Sequence, residues 1–493
     1  MRRARTASRA LLWAASGVLL LGVAIRLFRF DAQPLWFDEL YTAALVRDGL
    51  GAIWHNSFVQ LTPPLPYLVF WLSAQIGGST AAGLRAASLL AAVLTLPVFY
   101  HFCTRVSDRA TALVATGLLA IAPLAIYYAQ EARPYALALL ALLLALLAYE
   151  QVRRRSSPGD WAIYALLAAI AGQLHYVNVI LVGAQLGALL LLALLDRAAM
   201  GRTLRGAAAV VLIVGLALGP FMLGVHASGR EWSGWRQPQA TLQFLSTMQT
   251  MAAGDARFAP SWARTAALLA LTTGAALALL RRQNWRVLLP HVLMLAFVIA
   301  VAFVLLPLAG VPAPAYEERP FLLVLPSALL LFSVGVRHLL ARRRTLPWGV
   351  GLVAVLAVTS AAGLRGYFGG FVKSPEGILA QHIAAAARPG DIALGDAYSV
   401  DAALHLYAPA LPVYSYRGEL DGHSRFAENA SPVMNREAET HLVDLEAILA
   451  APRIWLLQRG QRVHPYHRTL LARYRVVHEA ESPPFRVQLL EPR

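Results

Sequence analysis

The sequence has few charged residues, almost no lysine and a single cysteine, and these shortages exclude several classes of protein. Only 14% of its 493 residues are charged and 58% are hydrophobic, whereas a soluble domain carries about 25% charged residues. Water is therefore not the solvent for most of the chain. The one cysteine, Cys103, lies in an apolar run, so an internal disulfide framework is excluded and a thiolate metal site is not indicated.

The positive charge is nearly all arginine, and the arginines follow the apolar runs. The formal net charge is +16, and such a basic balance can accompany nucleic-acid binding. Here the arginines form short clusters between apolar segments, which is typical of membrane topology, so no nucleic-acid partner is predicted. The basic N-terminus leads into an apolar run without a small-residue cleavage site, which predicts a retained signal anchor.

About eleven segments are long and apolar enough to be candidates for crossing a bilayer. They are residues 10–28, 84–103, 110–127, 135–151, 161–175, 178–195, 207–225, 263–280, 287–306, 320–338 and 347–364. Arginine clusters occupy alternate loops, and positive residues stay on the cytoplasmic side. The chain is therefore predicted to be an α-helical polytopic protein of the cytoplasmic (inner) membrane, with its N-terminus cytoplasmic and its tail external.

This topology divides the chain into a transmembrane domain, residues 1–365, and an external domain, residues 366–493. The first external loop, residues 29–83, contains aromatic and proline-rich stretches that predict interfacial helices. The tail has ordinary polar composition, with a helix predicted at 376–388 and strands at 392–394, 453–458 and 485–490. Such alternation predicts a small external, or periplasmic, α/β domain.

Two adjacent acids, Asp38 and Glu39, follow the first apolar segment and are framed by aromatic residues. At the membrane boundary one acid can face a reacting group while its neighbour supports it. Partial desolvation would suit such an acid to accept a proton. The alternative is a solvated acid pair in a loop.

A second charged stretch, residues 127–135, joins two apolar segments on the predicted outside face. It contains Glu131, Arg133 and Tyr135, and charged residues at membrane depth are functional candidates. A guanidinium there can clamp a phosphate through two parallel hydrogen bonds. An internal Glu131–Arg133 ion pair that closes the helical hairpin is an equally supported alternative.

Two further candidate clusters lie on the same face. Glu318 and Arg319 precede a late apolar segment, and Arg319 offers either a second positive centre or a snorkelling interfacial arginine. His175 and Tyr176 close another hairpin, where a lone histidine is more often a helix-end residue than a ligand. Acids and arginines on one face are the arrangement that a transferase needs for a lipid-phosphate substrate.

The ordered set of motifs resembles the membrane-embedded GT-C glycosyltransferases of family 39, the protein O-mannosyltransferase and aminoarabinose-transferase type. The motifs are Leu35-Trp36-Phe37-Asp38-Glu39, Pro63-Pro64-Leu65, Glu131-Ala132-Arg133-Pro134-Tyr135, His175-Tyr176, Arg319 with Pro326, and Arg388-Pro389-Gly390-Asp391. The resemblance covers nearly the whole chain. It implies a polyprenyl-phosphate-linked sugar as donor and a lipid, polysaccharide or protein as acceptor.

The resemblance also implies roles for individual residues. Asp38 would be the general base and Glu39 its support, while Arg133 and Arg319 would hold the leaving lipid phosphate. No nucleotide is implied, which fits the absence of a glycine-rich phosphate loop. No metal cofactor is predicted, because Thr62 stands where many members have histidine; some members use a divalent ion at this face, so a metal is an open alternative.

Two other functions fit parts of the pattern. A transporter or flippase of lipid-linked sugars would place charges midway across the membrane, often within inverted repeats, and no repeat is visible here. A non-catalytic protein of envelope assembly could have the same fold. The acids and arginines argue against this second alternative.

Overall fold

The computed structural model describes residues 2–59, 62–227, 242–280, 285–305, 319–395, 398–415, 445–459 and 470–493. Within these residues the chain forms two compact units. The first comprises residues 1–30, 61–69 and 85–371, and the second comprises residues 31–60, 70–84 and 372–493.

Helices dominate the chain before residue 371. They are α1 Arg2–Leu27, α2 Phe37–Val59, α3 Leu65–Gly77, α4 Ala81–Val106, α5 Arg109–Ile121, α6 Pro123–Ala129, α7 Tyr135–Arg154, α8 Pro158–Leu174, α9 Val177–Leu195, α10 Arg197–Ala227, α11 Leu242–Ala253, α12 Ser261–Leu280, α13 Trp285–Ala300, α14 Phe321–Leu340 and α15 Leu346–Gly369. A short π-helix, Val301–Leu305, follows α13. The predicted interfacial helices of the first loop correspond to α2 and α3.

Nine of the helices in the described residues are long and apolar enough to cross a membrane, and a bent pair makes up to ten. The remaining predicted segment, 161–175, corresponds to α8. This helix has 17 residues, which is the lower limit for spanning the hydrocarbon core. The chain is thus a multi-pass membrane protein with nine or ten apolar spans, close to the eleven expected.

The segment predicted as one span at 110–127 is two helices, α5 and α6, that meet at an angle of 58°. The break follows from Pro123, which begins α6 and has no N–H for a helical hydrogen bond. The buried guanidinium of Arg26 donates to the carbonyl oxygens of Leu119 at 3.2 Å and Ala120 at 2.9 Å. Backbone acceptors near the break are therefore satisfied within the protein, as a membrane interior requires.

Small residues allow α12 and α14 to approach closely. A Cβ atom added at Gly335 would overlap the backbone carbonyl of Gly274, and one added at Gly274 would overlap the ring of Phe332. Membrane helices gain little from apolar burial against one another, because lipid is equally apolar, so close backbone packing contributes much of the association. These two glycines are part of the first unit's core.

The second unit contains a five-stranded sheet in the order β2-β1-β3-β5-β4. Its strands are β1 Ile392–Gly395, β2 Val413–Ser415, β3 Ile454–Arg459, β4 Tyr474–Ser482 and β5 Phe485–Pro492, and its helices are α16 Pro375–Ala386, α17 Tyr398–Tyr407 and α18 Leu445–Ala450. Strands β2, β1 and β3 are parallel, whereas β5 pairs antiparallel with both β3 and β4. This arrangement confirms the α/β architecture expected for the tail.

Candidate active site

The acid pair lies in the first turn of α2, within the second unit. Trp36 is the residue before the helix, and its backbone N–H donates to Glu39 Oε2 at 3.3 Å. Glu39 is fully buried, and this reach back to the residue before the helix is one half of a capping box. Asp38 is half-buried and sits where the helix dipole favours negative charge. The two adjacent acids therefore have different surroundings.

The segment before this turn is held by other residues of the second unit. Leu35 N–H donates to Tyr407 Oη at 2.6 Å, and Ser374 Oγ donates to Leu35 O at 2.9 Å. The backbone N–H of Lys373 donates to Gln33 Oε1 at 2.6 Å. These contacts fix the chain on the N-terminal side of Asp38. The helix that follows kinks at Gly49, where φ is +85°.

In the first unit, the turn that contains Glu131 and Arg133 connects α6 to α7. Gln130 anchors it, because its amide nitrogen donates to the carbonyl oxygens of Arg26 and Phe28, both at 2.9 Å. Tyr367 Oη donates to the amide oxygen of Gln130 at 3.0 Å. The turn is thus tied to the end of α1 and to α15.

The two candidate arginines each contact a tyrosine hydroxyl in the first unit. Nη1 of Arg133 donates to Tyr67 Oη, and Nη1 of Arg319 donates to Tyr135 Oη, both at 3.4 Å. Both arginines are half-buried, whereas both tyrosines are buried. Guanidinium and hydroxyl groups in such a setting can donate several hydrogen bonds to an anion.

His175 lies among these groups. Its ring centroid is 5.4 Å from that of Tyr135 and 4.8 Å from that of Tyr176, on which it stacks with an interplanar angle of 24°. Burial, followed by the positive charges of Arg133 and Arg319, lowers the pKa of His175 to about 3. The imidazole is therefore neutral at physiological pH.

The backbone also determines which nitrogen of His175 carries its proton. Nδ1 accepts a hydrogen bond from the N–H of Val177 at 3.2 Å, so the proton of the neutral ring is on Nε2. His175 thus adds a neutral N–H donor to the cluster. We call this set the arginine cluster; its members are Tyr67, Arg133, Tyr135, His175, Tyr176 and Arg319.

The structure therefore brings together five of the residues predicted from sequence. They are Arg133, Tyr135, His175, Tyr176 and Arg319. Glu131 is fully buried in the same connecting turn. Glu318 lies outside the described residues, and the acid pair belongs to the second unit.

Tyr67 and Gln130 also belong to this region, although they were not among the residues predicted from the sequence. Tyr67 follows the Pro63-Pro64-Leu65 motif by two positions, so its place in the motif is the one signal that pointed to it. Gln130 adjoins the Glu131–Arg133 motif, but its long-range partners are not visible in the sequence. Within the described part of the chain, no group of three or more His, Cys, Asp or Glu residues could hold a metal ion.

Residues 62–222 match the family model described as dolichyl-phosphate-mannose-protein mannosyltransferase. That segment includes Arg133, Tyr135 and His175, but neither the acid pair nor Arg319. No curated protein sequence matches the chain.

Solved structures extend the similarity to almost the full length. ArnT from Cupriavidus metallidurans is 15% identical in its apo state, with a TM-score of 0.63 and 98% of each chain covered. The chain has the GT-C glycosyltransferase fold. ArnT bound to undecaprenyl phosphate aligns with a TM-score of 0.61 at the same identity and coverage. The Archaeoglobus fulgidus oligosaccharyltransferase tethered with an acceptor peptide is 12% identical, with a TM-score of 0.52 over 91% of this chain and 69% of that one.

The resemblance to GT-C glycosyltransferases is confirmed by these matches, as are the helical membrane fold and the C-terminal sheet. The GT-C fold and the family match together support glycosyl transfer as the activity.

Proposed function

We propose that this GT-C protein is an inverting glycosyltransferase. It moves a sugar from a polyprenyl-phosphate donor to a hydroxyl acceptor on the outer face of the cytoplasmic membrane. The donor class is supported by the undecaprenyl phosphate in the ArnT structure, which has the same fold. The acceptor is a lipid, a polysaccharide or a protein.

The reaction is a single displacement at the anomeric carbon. The acceptor hydroxyl attacks that carbon as Asp38 takes the hydroxyl proton, and the bond from the carbon to the phosphate oxygen breaks on the opposite face. The configuration of the sugar inverts and polyprenyl phosphate leaves. Glu39 holds the turn that contains Asp38. Arg133 and Arg319 stabilise the charge that develops on the leaving phosphate, and His175 donates to the same group.

The arginine cluster is the single observation on which this proposal depends. Two guanidinium groups lie beside tyrosine hydroxyls and a neutral imidazole with its proton on Nε2. All of these groups can donate hydrogen bonds to an anion, and burial, followed by the positive charges of Arg133 and Arg319, lowers the pKa of His175. A phosphate monoester anion is the ligand chemistry that completes such a set.

The activity is tested with protein reconstituted into liposomes that contain synthetic polyprenyl-phosphate sugars. Mass measurements of the envelope glycans and lipids from a deletion strain identify the sugar and the acceptor that the protein uses. Both are then supplied to the liposomes. The proposal predicts a glycosylated acceptor with inverted anomeric configuration and free polyprenyl phosphate in equal amounts. Movement of intact donor between leaflets without bond cleavage would instead identify a flippase, and binding without either process a non-catalytic protein.

The proposed membrane orientation is tested separately. Reporter fusions after residues 9 and 493 should respond as cytoplasmic and external positions, respectively. Both reporters on one side of the membrane would contradict this orientation. The prediction that the acid pair and the arginine cluster lie on the outside face would then lose its basis, since it depends on the same arginine distribution.

A further inference from the structure

The second unit contains a pair of histidines that the proposed sugar transfer does not use. His382 lies in α16 and His478 in β4. Their Nε2 atoms are 3.0 Å apart, and their rings are inclined by 24° with centroids 5.2 Å apart. The nitrogens thus face each other, and one neutral ring donates its proton to the other. His478 is exposed and His382 half-buried, so solvent reaches the pair.

A bulge in β4 turns His478 towards this partner. Val476 pairs with Leu490 and His478 with Leu489, so Val477 is an extra residue in the strand. If β4 had no bulge, Val477 would pair with Leu489 and His478 with Gln488. The side chain of His478 would then point to the opposite face of the sheet. Bulges commonly re-aim a side chain in this way. The position of His478 is therefore specified by the local backbone.

A buried tryptophan side chain packs next to the pair. The buried indole of Trp455 lies beneath it, with centroids 6.3 Å from His382 and 6.5 Å from His478. The indole N–H donates to Asp391 at 2.9 Å, and Asp391 also forms an ion pair with Arg453 at 3.1 Å. The charge of the neighbouring arginine is thus compensated, which lowers the electrostatic cost of a cation at the histidines.

We propose that His382 and His478 form a two-histidine site for a divalent transition metal on the second unit. With metal–nitrogen bonds of about 2.0–2.1 Å, nitrogens 3.0 Å apart subtend an angle of about 91–97° at the metal. Near-right angles match the tetragonal geometry of Cu²⁺ or Ni²⁺ better than the tetrahedral geometry of Zn²⁺. Both rings turn slightly to face the ion, and the proton between them moves to Nδ1 of the donor ring. Water completes the coordination.

The site joins α16 to β4, so an occupied site stabilises the second unit against unfolding. The stabilisation grows with free metal concentration, because the unfolded chain does not hold the two rings together. The proposed metal site uses none of the residues of the proposed sugar transfer, so a negative result for one proposal leaves the other unaffected.

The test uses the full-length protein in detergent, purified through a tag without histidine. Cu²⁺ is titrated by calorimetry and the complex is examined by electron paramagnetic resonance, with H382Q, H478Q, the double variant and H405Q as matched control. The wild type and H405Q should bind one high-affinity equivalent with a two-nitrogen splitting pattern. Each single variant should bind at least about tenfold more weakly, with one nitrogen lost from the pattern.

Two results would overturn the proposal. One is unchanged copper affinity and nitrogen pattern in the double variant H382Q/H478Q. The other is a wild-type signal that lacks nitrogen ligands. A thermal unfolding midpoint that rises with Ni²⁺ in the wild type but not in the double variant gives a second, independent readout and also shows that the variant is folded.

Discussion

Arg26 Nη1 donates a 2.9 Å hydrogen bond to the carbonyl oxygen of Ala120. The arginine is in α1, and the carbonyl precedes the break between α5 and α6. The carbonyl oxygen of Arg26 in turn accepts from Gln130, which holds the turn before Arg133. The side chain of Arg26 thus supplies a donor to a backbone carbonyl at the helix break, and its backbone carbonyl anchors the turn that leads into the arginine cluster.

Replacing Arg26 with methionine should destabilise the first unit. The carbonyl oxygen of Ala120 would lose its 2.9 Å donor, while that of Leu119 would keep only the 3.4 Å hydrogen bond from the N–H of Ala122. An unsatisfied buried acceptor costs about 1–3 kcal/mol. Thermal unfolding in detergent should show a lower midpoint for R26M than for R205M, which changes an exposed arginine of α10. Equal midpoints for the two variants would mean that Arg26 does not support the break.

Gly335→Ala should also destabilise the protein, because the new methyl group would overlap the carbonyl of Gly274. Overpacking of this kind costs about 1–3 kcal/mol. Gly187→Ala is the matched control, since its Cβ would meet no atom within 4 Å and alanine is the better helix former. A G335A protein as stable as G187A would contradict the close approach of α12 and α14.

His175 should make stability depend on pH on the acidic side of neutrality. Its pKa is lowered to about 3 in the folded protein, against about 6.5 in an unfolded chain. Between these values the unfolded state binds more protons, so stability falls as pH decreases, by at most about 1.4 kcal/mol per pH unit. H175Q, which cannot be protonated, should lose less stability than the wild type from pH 6.5 to 4. Parallel unfolding midpoints across this range would contradict a neutral His175.

Arg133→Gln and Arg319→Gln should each weaken binding of polyprenyl phosphate. A hydrogen bond to a charged group contributes about 1.5–3 kcal/mol, so each loss should raise Kd by roughly tenfold to a hundredfold. Arg365→Gln is a suitable control, because Arg365 is an exposed residue of α15 and not part of the arginine cluster. Competition binding of labelled polyprenyl phosphate measures the difference. If R133Q and R319Q bind the lipid as tightly as R365Q, the phosphate lies elsewhere.

Much of the fold could be predicted because the hydrocarbon interior of a membrane restricts the backbone conformations that can cross it. Backbone groups in hydrocarbon must pair within the chain, so long apolar segments such as 135–151 and 320–338 must be helices. The break at Pro123 is a local exception that length alone did not reveal. The cause of the break, a proline that lacks an N–H within a helical segment, is visible in the sequence. The hydrogen bonds from Arg26 to the carbonyl oxygens near the break join residues distant in sequence, so they could not be predicted.

The candidate site was predictable only in part. The alternating topology predicts that the connections containing Arg133, His175 and Arg319 lie on one face of the membrane, so a shared cluster could be expected. Their tyrosine partners depend on side-chain packing that no local pattern encodes, and the tautomer of His175 depends on a hydrogen bond from the backbone N–H of Val177. The different surroundings of Asp38 and Glu39 arise from a capping contact at Trp36, a residue type that seldom precedes a helix.

The most direct test of the proposed function compares Asp38→Asn with Asp48→Asn, a change later in the same helix. Both proteins are reconstituted with the identified donor and acceptor, and transfer rate and donor Kd are measured together. Loss of the general base should lower kcat of D38N by about 10²–10⁴-fold with donor Kd unchanged, while D48N transfers as the wild type does. Transfer by D38N at the wild-type rate would contradict the account.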